Sequence, residues 1–515
     1  MLLSLSLWQN WQNAQTMSND LHSDLYSDLY SEETDGAALP ATNALPRPLW
    51  HWPEVAAAVG APVPAGGSPV TGVSIDTRTL NPGDLFIALS GDPGERFFTS
   101  SPGNRDGHEF LPAAHAQGAA GALVSRSHPL GLPQLRTADT LDGLWSLGRA
   151  AAARHSGLRV AITGSSGKTT AKAFLAAALG ANAETGSLNN FWGVPLCLAR
   201  TPVDARYAVF EIGTNQVGEI APLSELVQPH VACLLNVHPA HLGNFPSFQA
   251  LREEKLSISS GLQDISKFVC EHSVAVAANL TGRVLSFGED ADASVRLISQ
   301  HGDAATYQTP AGQIDARVPG GGRHRALTLA CVVATLVALD KDPALASELP
   351  ATLVPEGRGD ERLVSRANGG EWLLINDSYN ANPSSMSAAL LAVTDAITDG
   401  VTEAAGVQPA QRTPTYAFLG EMLELGDESA KFHLELLEHC ARFDGVFCVG
   451  KDMRALADAL PREQQLGYAD AVADIDLAAV LKQLPRSGQV LVKGSNRVFW
   501  QSGFVETLAQ ALQNS

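Results

Sequence analysis

The stretch that decides the fold is Leu158-Arg159-Val160-Ala161-Ile162-Thr163-Gly164-Ser165-Ser166-Gly167-Lys168-Thr169-Thr170. An apolar run of strand length enters a Gly/Ser loop, and Lys-Thr-Thr opens a helical segment, Lys168–Leu179. In such a turn the loop amides and the helix N-terminus converge on one point and suit phosphate oxygens. Gly164 and Gly167 allow the tight curl, while Ser165, Ser166 and Thr170 complete the loop. Lys168 can reach the β- and γ-phosphates, and the Thr169 hydroxyl can ligate Mg2+. The loop is shorter than the usual Gly-x4-Gly-Lys form. The strand–loop–helix context favours a phosphate site over a chance turn.

Moving outward, the next strand, Tyr207–Ile212, carries Glu211 near its end, and Gly213 follows. A carboxylate at the end of a strand beside the phosphate loop is a sensible Mg2+ partner; a plain surface acid is the alternative. His238 and His241 follow the strand Val231–Val237. Two histidines three apart, with no third ligand in view, argue poorly for zinc. Lys255, in Arg252-Glu253-Glu254-Lys255, reads on composition as an ordinary solvated helical lysine.

The 515-residue length suggests three domains, or two large ones, and 45% hydrophobic with 17% charged residues provides large cores. A net charge of −19 weighs against nucleic acid as a partner. It does not exclude a local nucleotide pocket. The six cysteines are scattered, with no Cys-x-x-Cys, and read as reduced and buried. Met1–Gln12 lacks a basic n-region, and Ala326–Leu339 is too short and too rich in Thr to span a bilayer, so the expectation is a cytoplasmic protein without membrane insertion.

Residues 1–46 hold six acids and no Lys or Arg, and read as an acidic mobile extension. Residues 47–156 form a first unit, with strands at Val70–Ile75, Asp84–Leu89 and Gly121–Ser125, a helix at Phe110–Gln117 and an exposed loop over Asp92–Arg105. In residues 157–345 alternating strands and helices argue a mostly parallel α/β sheet, with helices at Phe248–Ser260 and His324–Leu339. Residues 346–515 repeat the alternation, with strands at Trp372–Ile375, Thr415–Leu419, Gly445–Val449 and Gln489–Val492. Helices are read there at Ser385–Ile397 and Ser429–Cys440, and a surface loop at Asp399–Thr413.

With these residues in place, residues 50–515 resemble the Mur ligases. The shared motifs are Thr163–Thr170, Asn189-Asn190 with Gly193-Val194-Pro195, Glu211-Ile212-Gly213, Asn236–Leu242 and Lys255. More specific runs are Asp377-Ser378-Tyr379-Asn380-Ala381-Asn382-Pro383-Ser384-Ser385-Met386 and Leu419–Gly426, with His433 after it. In the first unit they are Ser74-Ile75-Asp76-Thr77-Arg78, Pro82–Leu89 and Asp106-Gly107-His108. These resemble the branch of the family that adds D-alanyl-D-alanine.

The resemblance implies a three-domain α/β architecture: a UDP-muramoyl-peptide-binding domain, a central ATPase-like parallel sheet and a Rossmann-like C-terminal domain. It implies an acid–D-amino-acid ligase of peptidoglycan precursor synthesis, using ATP and Mg2+. The implied partners are UDP-MurNAc-tripeptide and D-Ala-D-Ala, acting on a monomer. Thr169 and Glu211 then become Mg2+ ligands, and His241 supports a metal or phosphate contact. Lys255 becomes a carbamylated ligand for a second Mg2+, and Arg358 approaches the phosphates. His324, Asp377 and Tyr379 lie near the nucleotide. Ser74, Asp76, Arg78, Asn189, Asn190, Asn380 and Asn382 serve the other substrates.

The chain also departs from the family pattern. Ser257 stands where an acid follows the modified lysine. Arg325 and Thr328 stand where asparagines approach adenine, which predicts a rearranged adenine site. Arg497 is displaced by one residue. None of these removes the phosphate loop or Glu211, so an active enzyme is expected. The alternatives are a sister ligase adding a single amino acid and a catalytically silent nucleotide-binding scaffold.

Overall fold

The computed structural model describes residues 48–93, 97, 105–239, 242–367, 369–402 and 413–515. The acidic extension and most of the Asp92–Arg105 loop lie outside these residues, as does His241.

Three sheets follow one another along the chain. The first has four strands, β1 (Gly72–Ser74), β2 (Asp84–Ile87), β3 (Gly121–Val124) and β4 (Gln134–Arg136), all parallel and in sequence order. Helix α1 (Thr140–Arg154) starts at Asp139, whose carboxylate accepts the amides of Leu141 and Asp142. It leads into the second sheet.

That sheet has eight strands: β5 (Leu158–Thr163), β6 (Tyr207–Glu211), β7 (Val231–Leu234), β8 (Phe268–Glu271), β9 (Leu285–Gly288), β10 (Val295–His301), β11 (Ala304–Thr309) and β12 (Gly312–Arg317). Their order is β12-β11-β10-β9-β8-β7-β5-β6. The sheet is parallel from β6 to β10 and antiparallel across β10-β11-β12. All residues of β6 and β7 are buried, as expected where both faces of a parallel sheet are covered. Helices α2 (Lys168–Leu179), α3 (Gly193–Arg200), α4 (Phe248–Leu256) and α5 (Arg323–Ala338) belong to this layer. The segment expected to be helical through Ser260 leaves the α-helix at Leu256 and continues as a 3-10 turn, Ser257–Gly261.

The third sheet runs β13 (Asp360–Ser365), β14 (Glu371–Asp377), β15 (Thr415–Gly420), β16 (Gly445–Val449), β17 (Gln465–Ala469) and β18 (Gly488–Lys493), in the order β13-β14-β18-β15-β16-β17. Only β13 is antiparallel to its neighbour. Helix α6 (Pro383–Thr402) follows β14. It extends into the segment read as a surface loop from Asp399; residues 403–412 of that loop lie outside the described residues. The expected helix Ser429–Cys440 is two short ones, Ser429–Leu434 and Leu437–Cys440.

The first and second sheets meet through α1 and α3. Trp50 Nε1 donates to the Ala199 carbonyl (2.8 Å), Trp145 Nε1 to that of Phe191 (2.7 Å), and Arg200 Nε to that of Val73 (2.6 Å). All six cysteines are free and buried. Among the described residues no helix is long and apolar enough to cross a membrane.

Candidate active site

Strand β5 lies between β6 and β7, so the chain leaves it for one side and returns on the other. Ligands of open α/β sheets bind at the carboxyl edge of such a point. There the loop Gly164–Gly167 turns into α2, with Gly167 at φ +79°, a conformation that disfavours a side chain. The amides of Ser165 and Ser166 both donate to Asn236 Oδ1 (3.0 Å each). Ser165 Oγ donates to the His238 carbonyl (2.9 Å), and Lys168 Nζ folds back onto the Gly164 carbonyl (2.9 Å). The loop is thus held by acceptors of the kind that phosphate oxygens provide. Burial pulls the Lys168 pKa down, Glu211 opposes this and Arg358 adds to it.

Register pairs Ile162 with Glu211, which places that carboxylate one residue short of the loop. Glu211 is buried and fully engaged. Its Oε2 accepts from Thr169 Oγ1 (2.7 Å), and its Oε1 from Ser187 Oγ (2.8 Å) and Asn189 Nδ2 (2.7 Å). Lys172 Nζ, also buried, lies 3.7 Å from Oε2 and donates to the Gly186 carbonyl (2.6 Å). Burial alone would raise the Glu211 pKa. Lys168, Lys172, Arg358 and the Thr169 hydroxyl outweigh it and hold the carboxyl below its ordinary range. A hydroxyl and a carboxylate side by side are hard oxygen donors of the kind Mg2+ takes, and Mg2+ usually completes its shell with phosphate and water. The donor set therefore fits that ion. Asn190 Oδ1 accepts the Gly193 amide at the start of α3 (2.9 Å).

The composition reading of Lys255 is corrected by the fold. It sits in the last turn of α4, only 3% exposed. Burial, and then the positive charge of Lys168, bring its pKa down to about 7, with Glu254 opposing. Glu254 is itself committed to the amides of Gly218, Glu219 and Ile220 (2.7, 3.0 and 2.7 Å). Burial, then the charge of Lys255, lower the His238 pKa. Ser257, in the place of the family's acid, donates its hydroxyl to the Glu254 carbonyl (2.6 Å).

The third sheet brings its signature to the loop. Asn382 Nδ2 donates to the Ser165 carbonyl (3.4 Å), and both residues are buried. Asp377, at the end of β14, accepts from Lys493 Nζ at the end of β18 (2.7 Å); the same amine holds the Asn380 carbonyl (3.1 Å). The Arg358 guanidinium lies 4.4 Å over the Tyr379 ring, which meets Trp500 edge-on (5.2 Å). His324 opens α5. Burial first, then Arg325 and Lys493, bring its pKa down to about 3. It is therefore neutral at pH 7. Thr328 Oγ1 donates back to the His324 carbonyl (3.0 Å).

Ser74 ends β1, and Asp76 and Arg78 follow it at the carboxyl edge of the first sheet. Ser74 Oγ donates to the Asp76 carbonyl (2.9 Å), and Asp76 pairs with the exposed Arg78. On the same edge Asp106, His108 and Ser125 line up like a nucleophilic triad. Asp106 Oδ1 lies 2.6 Å from His108 Nδ1. However, His108 Nε2 accepts the Ser125 backbone amide (3.0 Å), so its lone pair is committed and the group ties down the end of β3.

Four residues of this site were given no such contacts from the sequence: Lys172, Lys493, Asn236, which stood only within a quoted motif, and Arg325, which was noted only as a departure from the family pattern. Lys172 was within reach, because it stands four residues after Lys168 on the same helical face. The other three depend on pairings between distant segments.

Two family models match: the Mur ligase middle domain over residues 162–336 and the Mur ligase glutamate ligase domain over residues 361–496. The sheets and the loop are those of an ATP-dependent, amide-forming ligase of peptidoglycan precursor synthesis, and the chain belongs to the Mur ligase family. It is 34% identical to the UDP-N-acetylmuramoyl-tripeptide–D-alanyl-D-alanine ligase of Escherichia coli K12, over 86% of this chain and 94% of that one. The Treponema pallidum enzyme of that name is 30% identical, over 87% and 97%. A crystal structure of MurF from Acinetobacter baumannii superposes with a TM-score of 0.72 at 27% identity, covering 90% of this chain and all of that one.

Proposed function

We propose that this ligase joins D-alanyl-D-alanine to the terminal carboxylate of a UDP-MurNAc-tripeptide through an acyl phosphate. The observation that carries the reading is the Asn382–Ser165 contact, which sets the Asp377–Met386 signature against the phosphate loop. A carboxylate is a poor electrophile until one of its oxygens becomes a leaving group. The carboxylate oxygen attacks the γ-phosphorus and ADP leaves. The dipeptide amine then attacks the acyl carbon, loses a proton, and phosphate departs.

Several anionic oxygens must be held together in both steps. Lys168 and the loop amides take the β- and γ-phosphates, and Arg358 adds charge from the side of the third sheet. Thr169, Glu211 and a carbamylated Lys255 would hold Mg2+, which when bound supplies further positive charge to the phosphate oxygens. Ser74, Asp76 and Arg78 serve the UDP-muramoyl end, at the carboxyl edge of the first sheet. Asn380, and Asn189 through Glu211, organise the acceptor side. Closure over these groups keeps water from the acyl phosphate.

The test is coupled ADP release with UDP-MurNAc-tripeptide, comparing D-Ala-D-Ala with single amino acids. Dipeptide-dependent turnover is expected. Ligation of a single amino acid without turnover on the dipeptide would refute the reading, and nucleotide binding without any turnover would indicate a scaffold.

A further inference from the structure

We infer that Arg325 is a positioning residue that aims Arg358 at the phosphate loop across the junction of the second and third sheets. The inference rests on the role given to Arg358 above.

Arg325 lies in the first turn of α5 and is buried. Its Nη1 donates to the carbonyls of Gly320 and Gly321, on its own side of the junction. Its Nη2 donates across the junction, to the carbonyls of Arg358 (2.9 Å) and Gly359 (3.2 Å). Both terminal nitrogens are therefore committed to backbone, and this guanidinium is not presented to a base. Arg325 stands where the sequence suggested a rearranged adenine site, and its guanidinium is spent on backbone carbonyls.

The pocket is shaped for the guanidinium. A Cβ on Gly359 would stand 2.1 Å from Nη2, and one on Gly320 would stand 2.9 Å from Nη1. Both glycines also have left-handed backbone, φ +84° and +71°. Burial lowers the pKa of this guanidinium, and the carboxylates of Asp377, Glu361 and Asp360 oppose part of that shift.

Arg358 is consequently pinned along its backbone. Its amide donates to the Pro355 carbonyl (3.1 Å), and the next amide, of Gly359, to the Asn376 carbonyl (2.7 Å). Tyr379 N donates to the Gly357 carbonyl (2.9 Å). Arg325 holds the two carbonyls that follow. With the backbone so fixed, the side chain leaves over the Tyr379 ring, and its charge is felt at both Lys168 and Glu211. A lysine at 325 brings one ammonium to a place where a planar fork spans four carbonyls, so R325K is not conservative here.

The test is a double-mutant cycle on the full chain with R325K, R358A and the pair, reading kcat and KM for ATP by coupled ADP release. R358A should lower kcat about 100-fold. R325K should lower kcat about 10-fold with KM for ATP within about 2-fold, the pattern of a group acting on the transition state. In the R358A background R325K should change kcat by less than about 2-fold, because its effect passes through Arg358. Hydrogen exchange should quicken at residues 357–360 in R325K and stay unchanged at 160–170. If R325K does not fold, R325Q carries the same cycle.

Full multiplication of the two kcat effects would overturn the positioning role, as would a raised KM for ATP with kcat intact or unchanged exchange at 357–360. An R358A enzyme with normal kcat would instead overturn the role assigned to Arg358.

Discussion

Lys255 offers the sharpest quantitative test. With its pKa brought to about 7 by burial and by Lys168, about half of the side chains are neutral at pH 7, against roughly 3 in 10,000 for an ordinary lysine. The population of amine able to attack CO2 is then about 1,500-fold larger. The lone pair of the neutral amine bonds to the CO2 carbon, a proton leaves to solvent, and an uncharged side chain becomes an anion beside Lys168. Protein equilibrated with 13C-bicarbonate should show one carbamate resonance that grows as pH rises through 7 and is missing in K255M. Ligase activity should fall when CO2 is stripped and return with bicarbonate. Stability carries the same signature in the CO2-free protein. Because the folded pKa lies below the unfolded value of 10.5, the unfolded state binds more protons between pH 7 and 10.5, and stability rises with pH across that window. Below pH 7 the buried charge costs roughly 5 kcal/mol in full. K255M should therefore be more stable than the parent at pH 6, and the gap should close toward pH 10. A parent protein with no labelled carbamate at pH 8, and with activity indifferent to CO2, would refute this reasoning.

E211Q should leave Lys168 and Lys172 without their carboxylate, lowering stability by about 3–5 kcal/mol in urea titrations and stopping ADP release; equal midpoints at pH 7 would contradict it. Since the folded pKa of Glu211 lies below its ordinary 4.5, its contribution is complete above that value and is lost as pH falls through the folded pKa, so parent and E211Q should converge in acid. N236A removes the acceptor of two loop amides and should lower stability by about 1–2 kcal/mol. Saturating ADP, whose phosphates take those amides, should narrow that gap in thermal melts, and a gap unaffected by ADP would count against the assignment. G359A combines left-handed backbone with a clash on Arg325 and should cost more than about 2 kcal/mol by urea titration; a loss under 1 kcal/mol would show that the guanidinium is not confined there.

The parts of this molecule legible in its sequence are those where one local signal suffices. Lys168–Leu179 and Gly445–Val449 have the bounds read from the sequence, because an apolar run ends against glycine or charge in each case. Strands such as Phe268–Glu271 and Gly312–Arg317 escaped notice; they are short, and their pairing is decided by neighbours distant in the chain. The 429–440 helix read as continuous because its composition is helical throughout; Glu435 and Leu436 keep helical dihedrals, but the Leu436 amide bonds the His433 carbonyl three residues back, which divides the segment into two short helices.

The site divides in the same way. Its anion-binding half is local, since one loop and one helix start make it. Its charge balance is not local: Glu211 draws on four residues from two other segments, and Arg358 is held by an arginine 33 residues earlier. Lys255 shows why composition fails at such places. Arg252-Glu253-Glu254-Lys255 looks like a solvated helical face, but Glu254 is consumed by three amides of another helix start and Lys255 is turned inward beside the loop lysine. A charge run is the same text whether its helix faces water or a phosphate site; the element packed over it decides, and that is a property of the fold.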